Sequence, residues 1–365
     1  MILMNDFKAE PEDLRVAELA ALDRVLRSGW YVLGNEVKAF EAVWAERCGV
    51  THALGVGNGM DAIEIGLRSL DIGAGDEVIT TPMTAFATVL AVLRAGATPV
   101  LADIDPETAL LDLASVERCI GPKTKAVLLV HLYGQIRDME RWTALCKKHN
   151  IALLEDCAQA HLAQWSGKVA GSFGSFGAYS FYPTKNLGAL GDAGALIFND
   201  SLLAQRGGVI RNYGQSVRYY HTELGLNSRL DELQAALLRV RLDRLDGFTA
   251  RRRDIAKAYR ERITNPQCRL LAEPIQAASH VYHLFVVICD KRERLAQHLK
   301  ACDVETYVHY PVPVHIQSPC RDLRFDPNGL SVAESHARMC LSIPCHPQMS
   351  DEDVSIVIDA INDFR

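Results

Sequence analysis

Ile151-Ala-Leu-Leu-Glu-Asp-Cys-Ala-Gln-Ala-His161 opens on a short apolar run and turns abruptly acidic. Residues 151–155 are too short and too continuously apolar for a surface helix, and they read as a buried strand. Glu155 and Asp156 then lie at the carboxyl end of that strand, the edge of an open α/β sheet where ligands bind. Asp156 equally suits a helix cap, and both readings stand at this point. Runs of the same kind recur at 53–56, 77–81, 99–102, 126–130, 178–181 and 195–198. Between them, 61–70, 84–94, 113–120 and 139–149 carry helical spacing, several opened by Ser, Thr or Asp. This alternation predicts an α/β fold with a mostly parallel central sheet flanked by helices. Residues 228–245 place Leu230, Leu233, Leu237, Leu238, Leu242 and Leu245 on one stripe, between a Ser228 cap and Gly247, and are expected to end the first domain. The expected division is a large domain over 1–245 and a smaller C-terminal α+β domain over 246–365.

Composition narrows the function. The chain has 365 residues, 48% of them hydrophobic and 23% charged, which excludes disordered, collagen-like and coiled-coil classes. Thirty-nine basic against 45 acidic residues leave −6, and the only basic cluster is Arg251-Arg252-Arg253, so nucleic acid is not an expected partner. Ten scattered Cys without a C-x-x-C spacing read as reduced thiols, with no metal site expected. The first thirty residues are rich in charge and no run suits a membrane span, so a cytoplasmic location and no membrane partner are expected.

Two further segments carry chemistry. Gly55-Val-Gly-Asn-Gly-Met-Asp-Ala62 is a glycine-rich turn between strand and helix, a place where backbone N–H groups meet an anion. It lacks the dinucleotide and nucleoside-triphosphate spacings. Ser180-Phe-Tyr-Pro-Thr-Lys-Asn-Leu-Gly-Ala-Leu-Gly-Asp-Ala-Gly194 places Lys185 in an irregular, glycine-flanked connection with the hydroxyls of Ser180, Tyr182 and Thr184 nearby. An anion cradle, a carboxylate and a lysine on the loops of one parallel sheet form the set that pyridoxal phosphate needs.

The chain resembles the DegT/StrS class of sugar aminotransferases, within the aspartate aminotransferase superfamily of fold type I. The likeness runs over essentially the whole chain, through Ser28-Gly-Trp-Tyr-Val-Leu-Gly34, Gly57-Asn-Gly-Met-Asp-Ala62, Gly75-Asp-Glu-Val78, Glu155-Asp-Cys-Ala-Gln-Ala-His161, the stretch from Ser180 to Gly194, Arg211-Asn-Tyr-Gly214, Gly225-Leu-Asn-Ser-Arg-Leu-Asp231 and His309-Tyr-Pro-Val-Pro-Val-His315. The resemblance implies that Lys185 carries pyridoxal 5′-phosphate as a Schiff base and shuttles the proton, with pyridoxamine 5′-phosphate as the intermediate form. It implies that Asp156 meets the pyridinium nitrogen and Gln159 the ring hydroxyl oxygen, while Gly59, Met60 and Ser180 hold the phosphate. Asn227 matches a position that reaches the neighbouring subunit's phosphate, which implies a homodimer with active sites at the interface; a helix cap is the alternative for Asn227. Substrate contacts are expected from Tyr31, Tyr182, Tyr213, His309, Tyr310 and His315. Glutamate as amino donor and a keto sugar as acceptor are implied, most often a nucleotide-linked 3-keto-6-deoxyhexose for surface polysaccharide or deoxyamino sugar biosynthesis. A 4-keto sugar, a free keto sugar acid, a sugar dehydratase and a regulatory pyridoxal-phosphate-binding protein are the alternatives. Three positions depart from the pattern. Met60 replaces a Thr, Leu162 replaces a Gly, and Ala85 stands where an aromatic covers the ring, with Phe86 beside it.

Overall fold

The computed structural model describes residues 1–365. Seven strands form the central sheet: β1 (His52–Val56), β2 (Glu77–Thr80), β3 (Thr98–Leu101), β4 (Thr124–Val130), β5 (Ala152–Asp156), β6 (Phe176–Ser180) and β7 (Gly194–Phe198). Their order is β1-β7-β6-β5-β4-β2-β3. The pairs β3–β2, β2–β4, β4–β5 and β5–β6 are parallel, whereas β7 runs antiparallel to both β6 and β1. That reversal matters for the site. A parallel crossover would carry the chain after β6 to the opposite edge, but the reversed β7 leaves residues 181–193 as a connection on the edge where Asp156 ends β5.

The strands read as unbroken apolar runs because both faces are covered. Alternate residues Ile79, Val127, Leu129 and Leu153 face one way, into a core shared with α2 (Asn35–Cys48), α5 (Leu113–Cys119), α6 (Met139–His149) and α8 (Glu232–Leu242). Val78, Ala126, Leu128 and Leu154 face the other, against α3 (Gly59–Ser69), α4 (Phe86–Arg94) and α7 (Ser201–Ile210). A separate cluster joins α9 (Leu245–Arg262), α10 (Arg292–Ala301) and α12 (Asp351–Asn362) to a three-stranded antiparallel sheet over 269–270, 285–288 and 340–343. No helix is long and apolar enough to cross a membrane.

Three local expectations are corrected. The helix expected after Ser228 begins only at Glu232, because Ser228 is occupied elsewhere, its Oγ accepting the Gly57 N–H at 3.0 Å. Gly247 does not terminate a helix but lies inside α9. The helix expected from Thr84 starts at Phe86. Glu232 also does more than begin α8. Gly34, which precedes α2, has no side chain to cap it, and the Glu232 carboxylate accepts the N–H groups of Gly34, Glu36 and Val37 at 2.8–2.9 Å.

One buried carboxylate fixes the middle of the sheet. Glu155 is fully buried and accepts N–H groups from Gly171 at 2.7 Å, Phe173 at 2.8 Å and Gly174 at 2.9 Å, with His131 Nε2 at 2.9 Å. Glu155→Ala would strand one buried and two half-buried N–H donors and leave the buried His131 without its partner, so we expect a loss of roughly 3–5 kcal/mol in urea unfolding. A change below about 1 kcal/mol would show that this carboxylate does not fasten the loop.

Candidate active site

The cradle forms where β1 hands over to α3. Asn58 caps the helix, its Oδ1 accepting the Asp61 N–H at 2.8 Å. Gly59 and Met60 therefore occupy the first helical positions, whose N–H groups have no partner within the helix and point at whatever anion sits in front. Ser180, at the end of β6, closes the other side so tightly that a Cβ on Gly59 would lie 2.7 Å from the Ser180 Cβ. Only glycine lets the hydroxyl and the helix terminus come this close. Asp61, the acidic residue in this first turn, is offset by Arg94 at 3.2 Å, so the cradle keeps its preference for negative charge.

Asp156 stands at the end of β5, and no helix follows it, so the capping alternative falls away. Its Oδ1 accepts the Ala158 N–H at 3.1 Å and its Oδ2 the Thr88 hydroxyl at 2.8 Å. Because Thr88 spends its proton on the carboxylate, the 2.7 Å contact between Thr84 and Thr88 must run from Thr84 to Thr88. Two hydroxyls, one just ahead of α4 and one in its first turn, thus set the direction of the carboxylate. Gln159 is oriented just as firmly: its Oε1 accepts the Tyr133 N–H at 2.6 Å and its Nε2 donates to the Tyr310 hydroxyl at 3.2 Å.

Lys185 sits on the connection between β6 and β7, half-buried, with no hydrogen-bond or ion-pair partner at Nζ. Burial pushes its ammonium pKa down to about 8, with the nearby Asp156 charge opposing the shift. The next residue anchors the loop from behind, Asn186 Nδ2 donating to Val281 O at 3.0 Å and Asn186 Oδ1 lying 3.1 Å from His283 Nδ1. His309 lies close enough to Lys185 to feel its charge, and burial together with that charge lowers the imidazole to about 4. Tyr310 is pushed up to about 12 by burial and by Asp156, so its phenol stays protonated.

The structure thus joins Lys185, Asp156, Gln159, His309 and Tyr310 around one edge of the sheet, and sets Ser180 against the cradle of Gly59 and Met60. Others stand apart. Tyr31, Tyr182, Tyr213 and Asn227 are exposed, and Asn227 caps no helix, since α8 starts five residues later, at Glu232. His315 bonds to Glu334 at 3.1 Å rather than to this group. Phe86 packs against Val89, Leu101, Val314 and Leu330, while Ala85 holds the entry of α4. Sequence reasoning missed Thr84, Thr88 and Tyr133. The four-residue spacing of the two threonines around the start of α4 was the available signal. His131, Glu155 and Cys157 come within 4.8 Å of one another, but the Glu155 oxygens are already engaged by three N–H groups and His131.

The DegT/DnrJ/EryC1/StrS aminotransferase family profile matches residues 12–362. The chain belongs to this family. It is 44% identical to the dTDP-3-amino-3,4,6-trideoxy-alpha-D-glucose transaminase of Streptomyces venezuelae over 98% of this chain and 95% of that one. It is 42% identical to a protein of Geobacillus stearothermophilus called pleiotropic regulatory protein, over 99% and 98%. Among solved structures, S. venezuelae DesV in complex with a ketimine intermediate superposes with a TM-score of 0.95 at 43% identity, covering 100% of this chain and 97% of that one. NtdA of Bacillus subtilis with bound pyridoxamine phosphate gives 0.88 at 28% identity, covering 97% and 82%.

The depressed lysine makes a direct prediction for the cofactor-free protein. Acylation of Lys185, followed by peptide mass spectrometry, should accelerate roughly tenfold per pH unit up to a midpoint of about 8 and level off above it, as the ammonium loses its proton. A midpoint at the ordinary lysine value of 10.5 would contradict the burial argument.

Proposed function

We infer that this protein is a pyridoxal-phosphate-dependent aminotransferase acting on nucleotide-linked deoxyhexose sugars. The observation that carries the reading is the half-buried, unpaired Lys185 amine set on the same sheet edge as an anion cradle and a fixed carboxylate. The residues present fit the cofactor. Gly59, Met60 and Ser180 would hold the phosphate, Asp156 a protonated ring nitrogen, and the second Nε2 hydrogen of Gln159 the ring oxygen. When bound, pyridoxal phosphate supplies a carbonyl that takes up the amine and a ring that accepts the electron pair left by proton removal.

The chain's own residues then divide the labour. Lys185 Nζ, with a pKa of about 8, gives and takes a proton at neutral pH without a large free-energy penalty in either direction. Asp156, held by Thr88 and by the Ala158 N–H, would present its carboxylate to a ring nitrogen. His309, neutral, and Tyr310, protonated, offer an imidazole and a hydroxyl donor beside the lysine. The amino donor in this reading is glutamate, and the acceptor a 3-keto-6-deoxyhexose joined to a nucleotide, for deoxyamino sugar or surface polysaccharide synthesis. The relative named as a 3-amino sugar transaminase supports the third carbon.

The active unit in this reading is a homodimer. Trp30, Tyr31, Tyr182, Tyr213, Tyr219 and Tyr220 are all exposed, an amount of aromatic surface that favours a partner, and Asn227 stands free to reach one. We place the domain division at 245/246, at the first residue of α9, and the protein in the cytoplasm.

Lys185→Ala should abolish transamination, at least 1000-fold in kcat, with an unchanged melting temperature. Adding glutamate to the wild type should discharge the visible cofactor band and release 2-oxoglutarate. A protein that retains its band with every amino donor would instead be a dehydratase or carry out other pyridoxal chemistry, and turnover by Lys185→Ala would overturn the assignment.

A further inference from the structure

We propose that Tyr133 is a positioning residue that fixes the face of the Gln159 amide presented to the active site and ties it to the segment carrying His309 and Tyr310. The inference rests on the cofactor reading above. Tyr133 lies in a single helical turn (Leu132–Gly134) just after β4, is 2% exposed, and holds φ 61° and ψ 0°, a left-handed conformation rare for a bulky side chain. From that one position its N–H and hydroxyl make three polar contacts. Its N–H donates to Gln159 Oε1 at 2.6 Å, its hydroxyl to His309 O at 2.7 Å, and the same hydroxyl lies 2.8 Å from His336 Nε2.

The directions follow from counting protons. A carbonyl can only accept, so the single phenol proton goes to His309, and His336 Nε2 must carry a hydrogen and donate to Tyr133. The Gln159 amide cannot flip, because its NH2 would then face the Tyr133 N–H. With Oε1 turned inward, Nε2 has two hydrogens: one goes to the Tyr310 hydroxyl at 3.2 Å, and the other is left for the ring oxygen. The contacts close into a circuit. Tyr133 holds Gln159 through its backbone, Gln159 holds Tyr310, and Tyr310 follows His309, whose carbonyl returns to the Tyr133 hydroxyl. Loops from the large sheet and a segment next to the small sheet therefore share one alignment, and backbone strain at a buried Tyr is what the circuit sustains.

The circuit is tested by a double-mutant cycle on Tyr133→Phe and Tyr310→Phe, read as the dissociation constant for pyridoxal phosphate by fluorescence titration, with melting temperatures alongside. Each single variant should weaken binding about fivefold or more, and the double variant should be no more than about twofold worse than the weaker single. Once the Tyr310 link is cut, the Tyr133 hydroxyl has nothing left to transmit. Fold-changes that multiply, or a Tyr133→Phe protein that binds like wild type, would overturn the proposal. His336→Leu removes a contact outside the circuit and leaves the Tyr133 hydroxyl on the His309 carbonyl, so it should stay within about twofold of wild type; a loss as large as that of Tyr133→Phe would place the effect on the His336 contact and overturn the proposal. A wild type that binds no pyridoxal phosphate would sink the cofactor reading itself.

Discussion

The Glu155 carboxylate is the contact on which the rest of this site depends. Its neighbour Asp156 meets Thr88 and Ala158 at the sheet edge, but Glu155 turns inward, where three N–H groups from residues 171–174 and the His131 ring surround it. Those residues lead directly into β6, so the depth at which β6 enters the sheet, and hence the height of Ser180 against Gly59, is set by Glu155. His131 in turn opens the segment that carries Tyr133. An acidic pair at a strand end thus does two jobs by alternation alone, one carboxylate locking the scaffold and the next serving chemistry.

Hydrogen-bond direction is the second organising element. Thr84 gives to Thr88, Thr88 to Asp156, Tyr133 to Gln159 and to His309, and Gln159 to Tyr310. Each of these groups has its donor or acceptor side assigned by a partner that has no choice, a carboxylate, a carbonyl or a backbone N–H. A site built this way pays little reorganisation when charge moves, since its dipoles already point where they are needed.

Much of this was legible in the chain itself. The seven apolar runs became the seven strands within two residues at each end, because buried strands covered on both faces need nothing but continuous apolar character. Lys185, Asp156 and the Gly59 turn were also readable, since their chemistry restricts them to a few residue types. What escaped was everything decided by tertiary partners. Ser228 looked like a helix cap and became an acceptor for Gly57 from 171 residues away. Gly247 looked like a stop, yet α9 runs through it. The reversal of β7 has no local signature, because an antiparallel strand with both faces buried carries the same apolar run as a parallel one. Tyr133 was invisible for the opposite reason: its role depends on a backbone conformation that its residue type does not announce.

The surroundings of Lys185 leave it as the one group with a proton to exchange near neutrality among those shifted by burial. His161 is held at about 3 and donates from Nε2 to the Ser180 carbonyl; His309 is held at about 4, and His283 well below its ordinary value, all three feeling the Lys185 charge. Tyr310 is held at about 12, and Tyr133 well above its ordinary value. Burial drives every one of these shifts in the direction that keeps the group neutral, and in the lysine the same force stops half-way because Asp156 opposes it. Had the imidazoles kept ordinary values, each would compete with the lysine for the proton and place a second positive charge beside it. Neutral neighbours therefore do more than pack. They reserve the proton for Lys185, and they do so by the same desolvation that a closed, water-poor pocket requires for the chemistry.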